Sequence, residues 1–477
     1  MTASPPSHDV SFLDDLAPDL DGRISYGDSE RANRAGDWST PVDEEVTPDV
    51  VVWPHSTEDV SRVLAAANDR GVPVTPYAAG TGLEGNATPV ERGISLDTTE
   101  MDAILEVRPD DLQIDVQAGV IGSDVDEAVA SHGLFFPPLP SSGDFSTVGG
   151  MIATGASGMQ TVKYGTVADW TLELEAVLAD GTVVSLGSRA VKSSSGYNLR
   201  DVVVGSEGTL AVVTAATLRL SGIPHQKRGG RAVFDSLDDA TTAISDAVTS
   251  GVDVAKIELV DEQAATVVNA YSGTDLPDAP TVFVEFHADH GIDEEVQFCR
   301  AIFESHDVRS FEVSADESEM ADLWQARKDF GFATEDWDPD LDATHPGDVA
   351  VPISEYPALV RYIRELADER DLLAPAVGHA GDGNVHWVAI VDRDDPDETA
   401  KVDDLYRRVV EFAIDCGGTA TGEHGVGRGK REFLVAEHGA GTVRAMKALK
   451  DALDPKGTLN PGKVFPDGDP ATWGDGA

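Results

Sequence analysis

The sequence lacks the features that mark secreted and membrane-spanning proteins. Only two of its 477 residues are cysteine, too few for a disulfide framework and without the spacing of a thiolate metal site. The first 21 residues contain no basic segment followed by an apolar one, and no later stretch approaches the ~18 uninterrupted apolar residues of a membrane helix. We therefore expect a cytoplasmic protein. Peripheral association with the inner face of the membrane and a homodimer both stay open.

Basic residues are scarce as well. Lysine and arginine number 35 against 86 aspartate and glutamate, which leaves a formal net charge of −51. Such a charge repels nucleic acid and anionic lipid. Because the acidic residues are spread along the chain, we favour a halophilic surface, solvated and screened by high salt, over an acidic binding patch.

The first half of the chain has a mixed α and β pattern. Residues 50–53 predict a strand, a helix follows from a cap at Ser56 to a stop at Gly71, and residues 72–75 predict the next strand. Further strands are predicted at residues 93–97, 112–118, 171–178 and 209–220. Near the C-terminus, a helix is predicted at about 442–453. With 41% hydrophobic residues, a length of 477 predicts two or three packed domains.

Residues 80–85, Gly-Thr-Gly-Leu-Glu-Gly, match the GxGxxG pattern of dinucleotide-binding proteins. In a Rossmann fold this loop opens a helix, but here Asn86-Ala87-Thr88-Pro89 follows and the next predicted element is a strand. We interpret the motif instead as a loop of backbone N–H groups that binds a diphosphate. Small-residue stretches at 149–158 and 204–210 predict two more loops, which together admit a large, polar, planar ligand.

Two histidine motifs follow, Gly-His-Ala-Gly-Asp-Gly-Asn-Val-His at 378–386 and Gly-Glu-His-Gly at 422–425. His379, His386 and Glu423 would form an N₂O ligand set suited to Zn²⁺ or Mn²⁺. A lone histidine is usually an ordinary polar residue with a local partner. Three histidines among clustered glycines, in a chain with only 12, favour a metal site.

These motifs, with Lys-Tyr-Gly-Thr at 163–166 and Lys-Ser-Ser-Ser-Gly-Tyr-Asn-Leu at 192–199, resemble the FAD-linked D-lactate dehydrogenase and glycolate oxidase flavoprotein family. The resemblance covers about residues 49–466. It implies an α+β fold, with a two-subdomain FAD-binding domain of the vanillyl-alcohol-oxidase type and an α+β cap, or substrate, domain with an antiparallel sheet. The implied divisions are an N-terminal extension (1–45), the FAD-binding domain (46–223), the cap domain with the metal motif (224–415) and a segment returning to the FAD domain (416–477).

The resemblance also implies where FAD binds. Residues 76–83 would cradle the pyrophosphate, residues 147–158 and 205–212 would line the adenosine and isoalloxazine, and Asn460 would close on the flavin. The FAD contacts are assigned to Pro76, Ala78, Ala79, Gly80, Thr81, Gly82, Leu83, Ser142, Gly149, Gly150, Thr154, Ser157, Gly158, Gly165, Glu207, Gly208, Val212 and Asn460. Some relatives attach FAD to a histidine, but His55 is interpreted as a surface residue, so we expect non-covalent FAD.

The implied activity is oxidation of a D-2-hydroxy acid, with D-lactate to pyruvate the first candidate and flavin N5 the hydride acceptor. The resemblance assigns the metal to His379, His386 and Glu423, where it would acidify the substrate hydroxyl. His424 would take the hydroxyl proton.

Arg327 resembles the family's substrate-carboxylate arginine, and its planar fork suits that role. The alternative is a surface arginine on an acidic protein. Asn384 would hydrogen-bond the substrate, or else serve the tight turn of its own loop.

The segment after Arg327 bears on the substrate. Relatives that act on D-2-hydroxyglutarate use a lysine there, whereas residues 329–360 contain no lysine or arginine, and His345 lies nearest the expected position. The segment carries the aromatics Phe330, Phe332 and Trp337 instead. A monocarboxylate is favoured, since an unpaired buried charge would cost several kcal/mol.

Several alternatives stay open. Glycolate or D-2-hydroxyglutarate could be the substrate, and the electron acceptor could be a quinone, a cytochrome or a small redox protein. A non-redox transferase resembling alkyl-dihydroxyacetone-phosphate synthase would need phosphate-binding cations, which this chain lacks in number. A non-catalytic flavin subunit would be expected to lack the histidine motifs. A metal-dependent hydrolase would leave the glycine loops without a role.

Overall fold

The computed structural model of the chain describes residues 5–473. The four residues at each end, which fall in the predicted N-terminal extension and C-terminal segment, lie outside that range. The chain divides into two compact units. Unit 1 comprises Met1–Ser157, Thr166–Ile223 and Glu423–Ala477, and unit 2 comprises Gly158–Gly165 and Pro224–Gly422. The functional domain limits given above stay a prediction.

The first sheet of unit 1 contains the predicted strand–helix–strand. Its four strands lie in the order Arg23–Ser25, Val50–Trp53, Ile94–Asp97 and Val74–Tyr77. The last three run parallel, and all four residues of Val50–Trp53 are buried, as expected for a parallel strand covered on both faces. The helix Thr57–Arg70 connects two of them: Ser56 Oγ accepts the N–H of Asp59, and Gly71, at φ 66°, ends the helix.

The second sheet of unit 1 is antiparallel and five-stranded. Its strands lie in the order Ile104–Arg108, Gln113–Gln117, Val212–Arg219, Thr171–Val177 and Val183–Gly187. Each strand predicted in this region is confirmed, with its ends within three residues of the prediction. A short ladder also pairs Leu134–Phe135 with Ser221–Gly222.

The helices of unit 1 include one that corrects a prediction. They are Phe12–Leu16, Asp28–Ala32, Thr57–Arg70, Gly122–Ala130, Val148–Thr154, Val167–Trp170, Leu199–Val203 and Leu434–Leu453. The prediction of a loop throughout 149–158 is wrong, because residues 148–154 are helical and only those after Gly155 form the loop. The last helix is interrupted at Gly439, and its second part confirms the helix predicted at 442–453.

Unit 2 is built on one antiparallel seven-stranded sheet. The strand order is Val308–Ser314, Gln226–Phe234, Thr281–Ala288, Val254–Val260, Ala376–His379, Asn384–Trp387 and Gly347–Ala350. A separate two-stranded ladder joins Asp342–Ala343 and Ile390–Val391. This arrangement confirms the expected α+β class with an antiparallel sheet.

The helices of unit 2 are Thr161–Tyr164, Leu237–Thr249, Glu262–Ser272, Ile292–Glu304, Glu317–Lys328, Phe330–Glu335, Tyr356–Arg370 and Pro396–Asp415. Apolar faces of several of these helices, with Phe283, Val377 and Ile390 from the strands, form a buried core. Within residues 5–473, none of the helices combines the length and apolar character needed to cross a membrane.

Candidate active site

The glycine loop of unit 1 follows the strand Val74–Tyr77. As predicted, the next regular element is the strand Ile94–Asp97 rather than a helix, which excludes the Rossmann interpretation. In the described part of the chain, the backbone N–H groups of residues 78–83 make no hydrogen bond to protein, although all six residues are partly buried. Backbone donors that are shielded from solvent need a partner, which is either water or a ligand. Six consecutive donors around Gly80, at φ 71°, fit an anionic group such as a diphosphate.

Hydroxyl groups join this loop to a second predicted segment. Thr81 Oγ1 lies 3.0 Å from Ser146 Oγ, which donates to Ser142 Oγ over 2.7 Å. Thr81 and Ser142, both predicted FAD contacts, are thus linked through Ser146, which the sequence analysis missed. Gly150 lies close by: a Cβ there would be 3.2 Å from the Ala78 Cβ, so small side chains at both positions bring the N-terminus of the helix Val148–Thr154 against the loop.

Glu207 and Asn460 bind protein groups with their side chains. Glu207 Oε2 accepts from Asn86 Nδ2 over 2.6 Å, and its two oxygens accept the backbone N–H groups of Val426 and Gly427 over 2.7 and 2.8 Å. Burial raises the pKa of Glu207 above its usual value, although these donors oppose the shift. Asn460 Nδ2 donates to the carbonyls of Asn86 and Glu207 over 3.0 and 2.7 Å. The side chains of Glu207 and Asn460 therefore link Asn86, which directly follows the glycine loop at 80–85, to the segment that contains Glu207.

The remaining predicted FAD residues are distributed unevenly. Pro76 packs on Gly208, where a Cβ would lie 2.8 Å from the Pro76 Cγ. The hydroxyl of Thr154 donates to Gly150 O over 3.1 Å, so it binds its own helix. Two of the predicted FAD residues, Gly158 and Gly165, belong to unit 2. The others belong to unit 1: Pro76, Ala78, Ala79, Gly80, Thr81, Gly82, Leu83, Ser142, Gly149, Gly150, Thr154, Ser157, Glu207, Gly208, Val212 and Asn460. His55 is 46% exposed in its side chain and lies 2.8 Å from Glu100, which confirms it as a surface residue.

Unit 2 brings the two motif histidines together. His379 ends the strand Ala376–His379, and His386 lies in the neighbouring strand Asn384–Trp387. Their ring centroids are 5.2 Å apart in an edge-to-face arrangement, and both residues are buried. Two imidazoles at this separation can bind one metal ion.

Each histidine has a carboxylate directly across from it in the sheet. Glu258 is the register partner of His379, and its Oε1 lies 2.8 Å from His379 Nδ1. Asp348 is the register partner of His386, with 3.7 Å between Oδ1 and Nδ1. A carboxylate within hydrogen-bond distance of one ring nitrogen, as for His379, leaves the other available as a metal ligand. The 3.7 Å between Asp348 and His386 is an ion-pair distance, longer than a hydrogen bond. Neither carboxylate was among the residues predicted from the sequence, although an acidic residue within the mostly apolar strand Val-Ala-Lys-Ile-Glu-Leu-Val was a usable signal.

Asn384 also binds Asp348. Its Nδ2 donates to Asp348 Oδ1 over 2.8 Å and to Val349 O over 2.9 Å, whereas its Oδ1 has no partner among residues 5–473. Gly383, at φ 81°, is the left-handed residue of the turn that precedes Asn384. A Cβ on Gly422 would lie only 2.1 Å from Asn384 Nδ2. Glycine is therefore required at position 422, immediately before Glu423.

Arg327 lies in the last turn of the helix Glu317–Lys328 and is 6% exposed, so the alternative of a surface arginine is wrong. Its Nε donates to Glu258 Oε2 over 2.9 Å. In the described chain its two Nη groups have no protein partner. They form a buried fork of the kind that binds a carboxylate in bidentate fashion.

Glu423 and His424 open the last segment of unit 1. Glu423 Oε2 accepts from Ser157 Oγ over 2.9 Å, and the backbone carbonyl of His424 accepts from Asn86 Nδ2 over 3.4 Å. Glu423 therefore binds a side chain of a predicted FAD segment. In the chain it is one peptide bond from Gly422, which packs on Asn384.

The three aromatic residues after Arg327 differ in burial. Phe330 is buried in the core of unit 2 and Trp337 packs against that core, whereas Phe332 is 42% exposed. The ring of His345 lies 5.9 Å from the ring of Tyr406. Packing of the core accounts for two of the three aromatics.

Two family descriptions match this chain. Residues 223–464 match "FAD linked oxidases, C-terminal domain", and residues 48–187 match "FAD binding domain". The chain belongs to the FAD-linked oxidase family. This FAD-linked oxidase is therefore an FAD-dependent oxidoreductase, which confirms the predicted family and flavin.

Curated relatives of this FAD-linked oxidase agree with that result. A probable mitochondrial D-lactate dehydrogenase of Danio rerio is 35% identical over 449 residues, covering 93% of this chain and 89% of the relative. The glycolate oxidase subunit GlcD of Bacillus subtilis is 34% identical over 449 residues, covering 94% and 95%. The cytochrome-type D-lactate dehydrogenase 1 of Saccharomyces cerevisiae is 36% identical over 432 residues, covering 88% and 73%.

Solved structures confirm the fold. A 4-ethylphenol oxidase from Gulosibacter chungangensis superposes with a TM-score of 0.76 at 17% identity, covering 98% of this chain and 99% of that one. An alkyldihydroxyacetonephosphate synthase gives 0.74 at 19% identity, covering 97% and 87%. The expected vanillyl-alcohol-oxidase type of fold is thereby confirmed.

Proposed function

We propose that this FAD-linked oxidase oxidises a D-2-hydroxy acid, with D-lactate to pyruvate as its main reaction. The observation that carries the proposal is the arrangement around Glu258. One of its oxygens accepts from Arg327 Nε, and the other lies beside Nδ1 of His379, a proposed metal ligand. A 2-hydroxy acid presents a carboxylate beside a hydroxyl, and these are the groups that an arginine and a nearby cation recognise. The names of the relatives given above support the same substrate class.

The proposed chemistry divides among a few side chains. The Nη groups of Arg327 bind the substrate carboxylate, and Asn384 Oδ1 accepts the hydrogen bond of the hydroxyl before it ionises. His424 takes the hydroxyl proton on a ring nitrogen as the hydrogen on Cα leaves with its electron pair. When bound, FAD supplies the acceptor for that hydride and a divalent ion makes the hydroxyl more acidic. The substrate loses one proton and one hydride, which yields the 2-oxo acid.

We assign the divalent ion, Zn²⁺ or Mn²⁺, to His379, His386 and Glu423. The two imidazoles suit a metal because they are buried and close together, and because Glu258 lies within hydrogen-bond distance of His379 Nδ1, an outer contact typical of metal-binding histidines. Glu423 would complete a two-histidine, one-carboxylate ligand set, and it follows the glycine that packs against Asn384 and Asp348.

D-lactate is preferred over a dicarboxylate because residues 329–360 offer no lysine or arginine for a second carboxylate. Glycolate fits the same groups, so it is the second candidate. The electrons leave the protein through an acceptor for which a cytochrome is our first choice, since three relatives carry that word in their names, with a quinone or small redox protein as alternatives.

The acidic surface is proposed to be an adaptation to high salt. At ~1 M salt the screening length falls to about 3 Å, which weakens repulsion among surface carboxylates. The unfolding midpoint is expected to rise steeply with KCl. A midpoint that is flat between ~0.1 M and ~1 M KCl would contradict this part of the proposal.

The decisive experiment uses FAD-loaded protein and an artificial electron-accepting dye. D-lactate is expected to reduce the dye far faster than L-lactate or D-2-hydroxyglutarate, EDTA is expected to abolish the rate, and Zn²⁺ or Mn²⁺ to restore it. His379→Asn should lose the bound metal by elemental analysis while keeping the flavin absorbance, and His132→Asn, at an exposed position, is the matched control. Equal turnover of both lactate enantiomers, or full activity after metal removal, would refute the proposal.

A further inference from the structure

We infer that Glu258 is a positioning residue that sets two functional groups at once, the metal-binding nitrogen of His379 and the carboxylate-binding fork of Arg327. The inference rests on the proposed function. It adds a residue outside the proposed ligand and substrate contacts, and it assigns to that residue an effect on both metal binding and substrate binding.

Glu258 is a fully buried carboxylate. Glu258 is 0% exposed, on the central strand Val254–Val260, between the apolar residues Ile257 and Leu259. A buried carboxylate is costly unless it is paired and hydrogen-bonded. A neutral apolar residue would fill this strand position without that cost, so a carboxylate here indicates a role for its charge and its two acceptor atoms.

The two oxygens of Glu258 contact different residues. Oε1 lies 2.8 Å from His379 Nδ1, and Oε2 accepts from Arg327 Nε over 2.9 Å. The acidic side chain therefore uses each oxygen for a different partner. For His379, a proton held on Nδ1 leaves the lone pair of Nε2 for a metal ion.

The consequence for Arg327 follows from the shape of its guanidinium group. The group can bind a carboxylate along its Nε and Nη edge or along its two Nη atoms. Because Glu258 occupies Nε, the end formed by the two Nη atoms is the edge left for substrate. Glu258 thus selects both the nitrogen of the histidine and the edge of the arginine.

Glu258→Gln tests this pairing, since its amide has one acceptor and one donor end. Whichever way the amide turns, its NH₂ faces either Arg327 Nε or His379 Nδ1. We expect the metal dissociation constant, the KM for D-lactate, or both to rise ~10–100-fold, the range seen when outer partners of metal ligands are removed. Metal affinity is measured by titration of the metal-free protein, so this readout does not depend on activity.

Asp261→Asn is the matched control. Asp261 is also a fully buried carboxylate, immediately after the same strand, but it pairs with Arg364 and caps the helix Glu262–Ser272. The Asp261→Asn variant should be less stable than wild type, with no change in metal affinity or in KM for D-lactate. If Glu258→Gln keeps both quantities within ~2-fold of wild type, the inference is refuted.

Failure of this inference and failure of the proposed function give different results. Wild-type protein that binds no metal would refute the proposed function, whereas wild-type and Glu258→Gln proteins that bind metal equally well, with equal KM, would refute only the role of Glu258. Should Glu258→Gln not fold, ¹⁵N NMR of histidine-labelled wild type still decides the matter. The signal of His379 is identified because it disappears from the spectrum of His379→Asn. We expect this histidine to carry its proton on Nδ1, and a proton on Nε2 would overturn the inference.

Discussion

Asp348 Oδ1 accepts a hydrogen bond from Asn384 Nδ2 over 2.8 Å, and the two residues lie on the paired strands Gly347–Ala350 and Asn384–Trp387. Asp348 Oδ2 accepts from Thr421 Oγ1 over 2.9 Å. One fully buried carboxylate therefore joins the strand that carries His386 to the segment that leads into Glu423. Because both oxygens are hydrogen-bonded, the side chain has a single well-defined orientation.

Asn384→Asp is expected to destabilise the protein strongly. It places a second carboxylate 2.8 Å from Asp348 in a buried position, where like charges repel and at least one carboxylate must take up a proton. We expect the free energy of unfolding to fall by about 3 kcal/mol or more, measured by chemical denaturation at neutral pH.

The swapped double variant Asp348→Asn with Asn384→Asp is the control. It restores one carboxylate and one amide, so it should recover part of the lost stability. A single Asn384→Asp variant as stable as wild type would show that the Asp348 contact contributes little.

Arg327→Lys is expected to weaken substrate binding more than it slows turnover. The lysine ammonium is a single point charge and cannot bind Glu258 and the substrate carboxylate in the way that the planar guanidinium of arginine can. The KM for D-lactate should rise ~10–100-fold in the dye assay, about 1.4 to 2.7 kcal/mol of lost binding. Arg309→Lys is the matched control, because Arg309 is exposed and pairs with Asp235. An unchanged KM would remove Arg327 from the substrate site.

Lys463 should make stability depend on pH above neutrality. Burial lowers its pKa from 10.5 to about 7, and its Nζ donates to Thr88 O and Asn460 Oδ1. Between those two values the unfolded chain holds the proton and the folded protein releases it. The unfolded state then binds more protons, so the free energy of unfolding rises with pH, by up to about 1.4 kcal/mol per pH unit.

Denaturation curves at several pH values between about 7 and 10.5 test this sign. Lys463→Met should show a smaller rise than wild type, whereas Lys401→Met, at an exposed position, should show the wild-type rise. The same slope in wild type and in Lys463→Met would show that Lys463 titrates normally in the folded protein.

Local patterns in the sequence were sufficient for several features. Glycines at 80, 82 and 85 without a following helix argued against a Rossmann loop, and a strand does come next. In the part of the chain that the structure describes, the six consecutive backbone N–H groups of residues 78–83 make no hydrogen bond to protein. The Ser56 cap and the Gly71 stop predicted their helix closely. Short-range chemistry of this kind is encoded in adjacent residues, because caps and turns are satisfied within a few positions.

Other local signals were outweighed by packing. The small residues at 149–154 indicated a loop, yet Thr147 caps a helix there whose face is buried in unit 1. Phe330 and Trp337, which follow Arg327 in the sequence, pack in or against the core of unit 2. Burial of apolar surface overrides weak local preference, and a residue's neighbours in sequence do not report it.

The sequence by itself determined which chemical groups are available: the glycine loop, the two histidine motifs, the arginine and the large excess of acidic residues. Only the tertiary structure decided which groups meet. Glu258 lies 121 residues before His379, yet sheet register places the two side by side, and Asp348 faces His386 for the same reason. Register between distant strands depends on how whole strands bury their faces, so no short stretch of sequence specifies it.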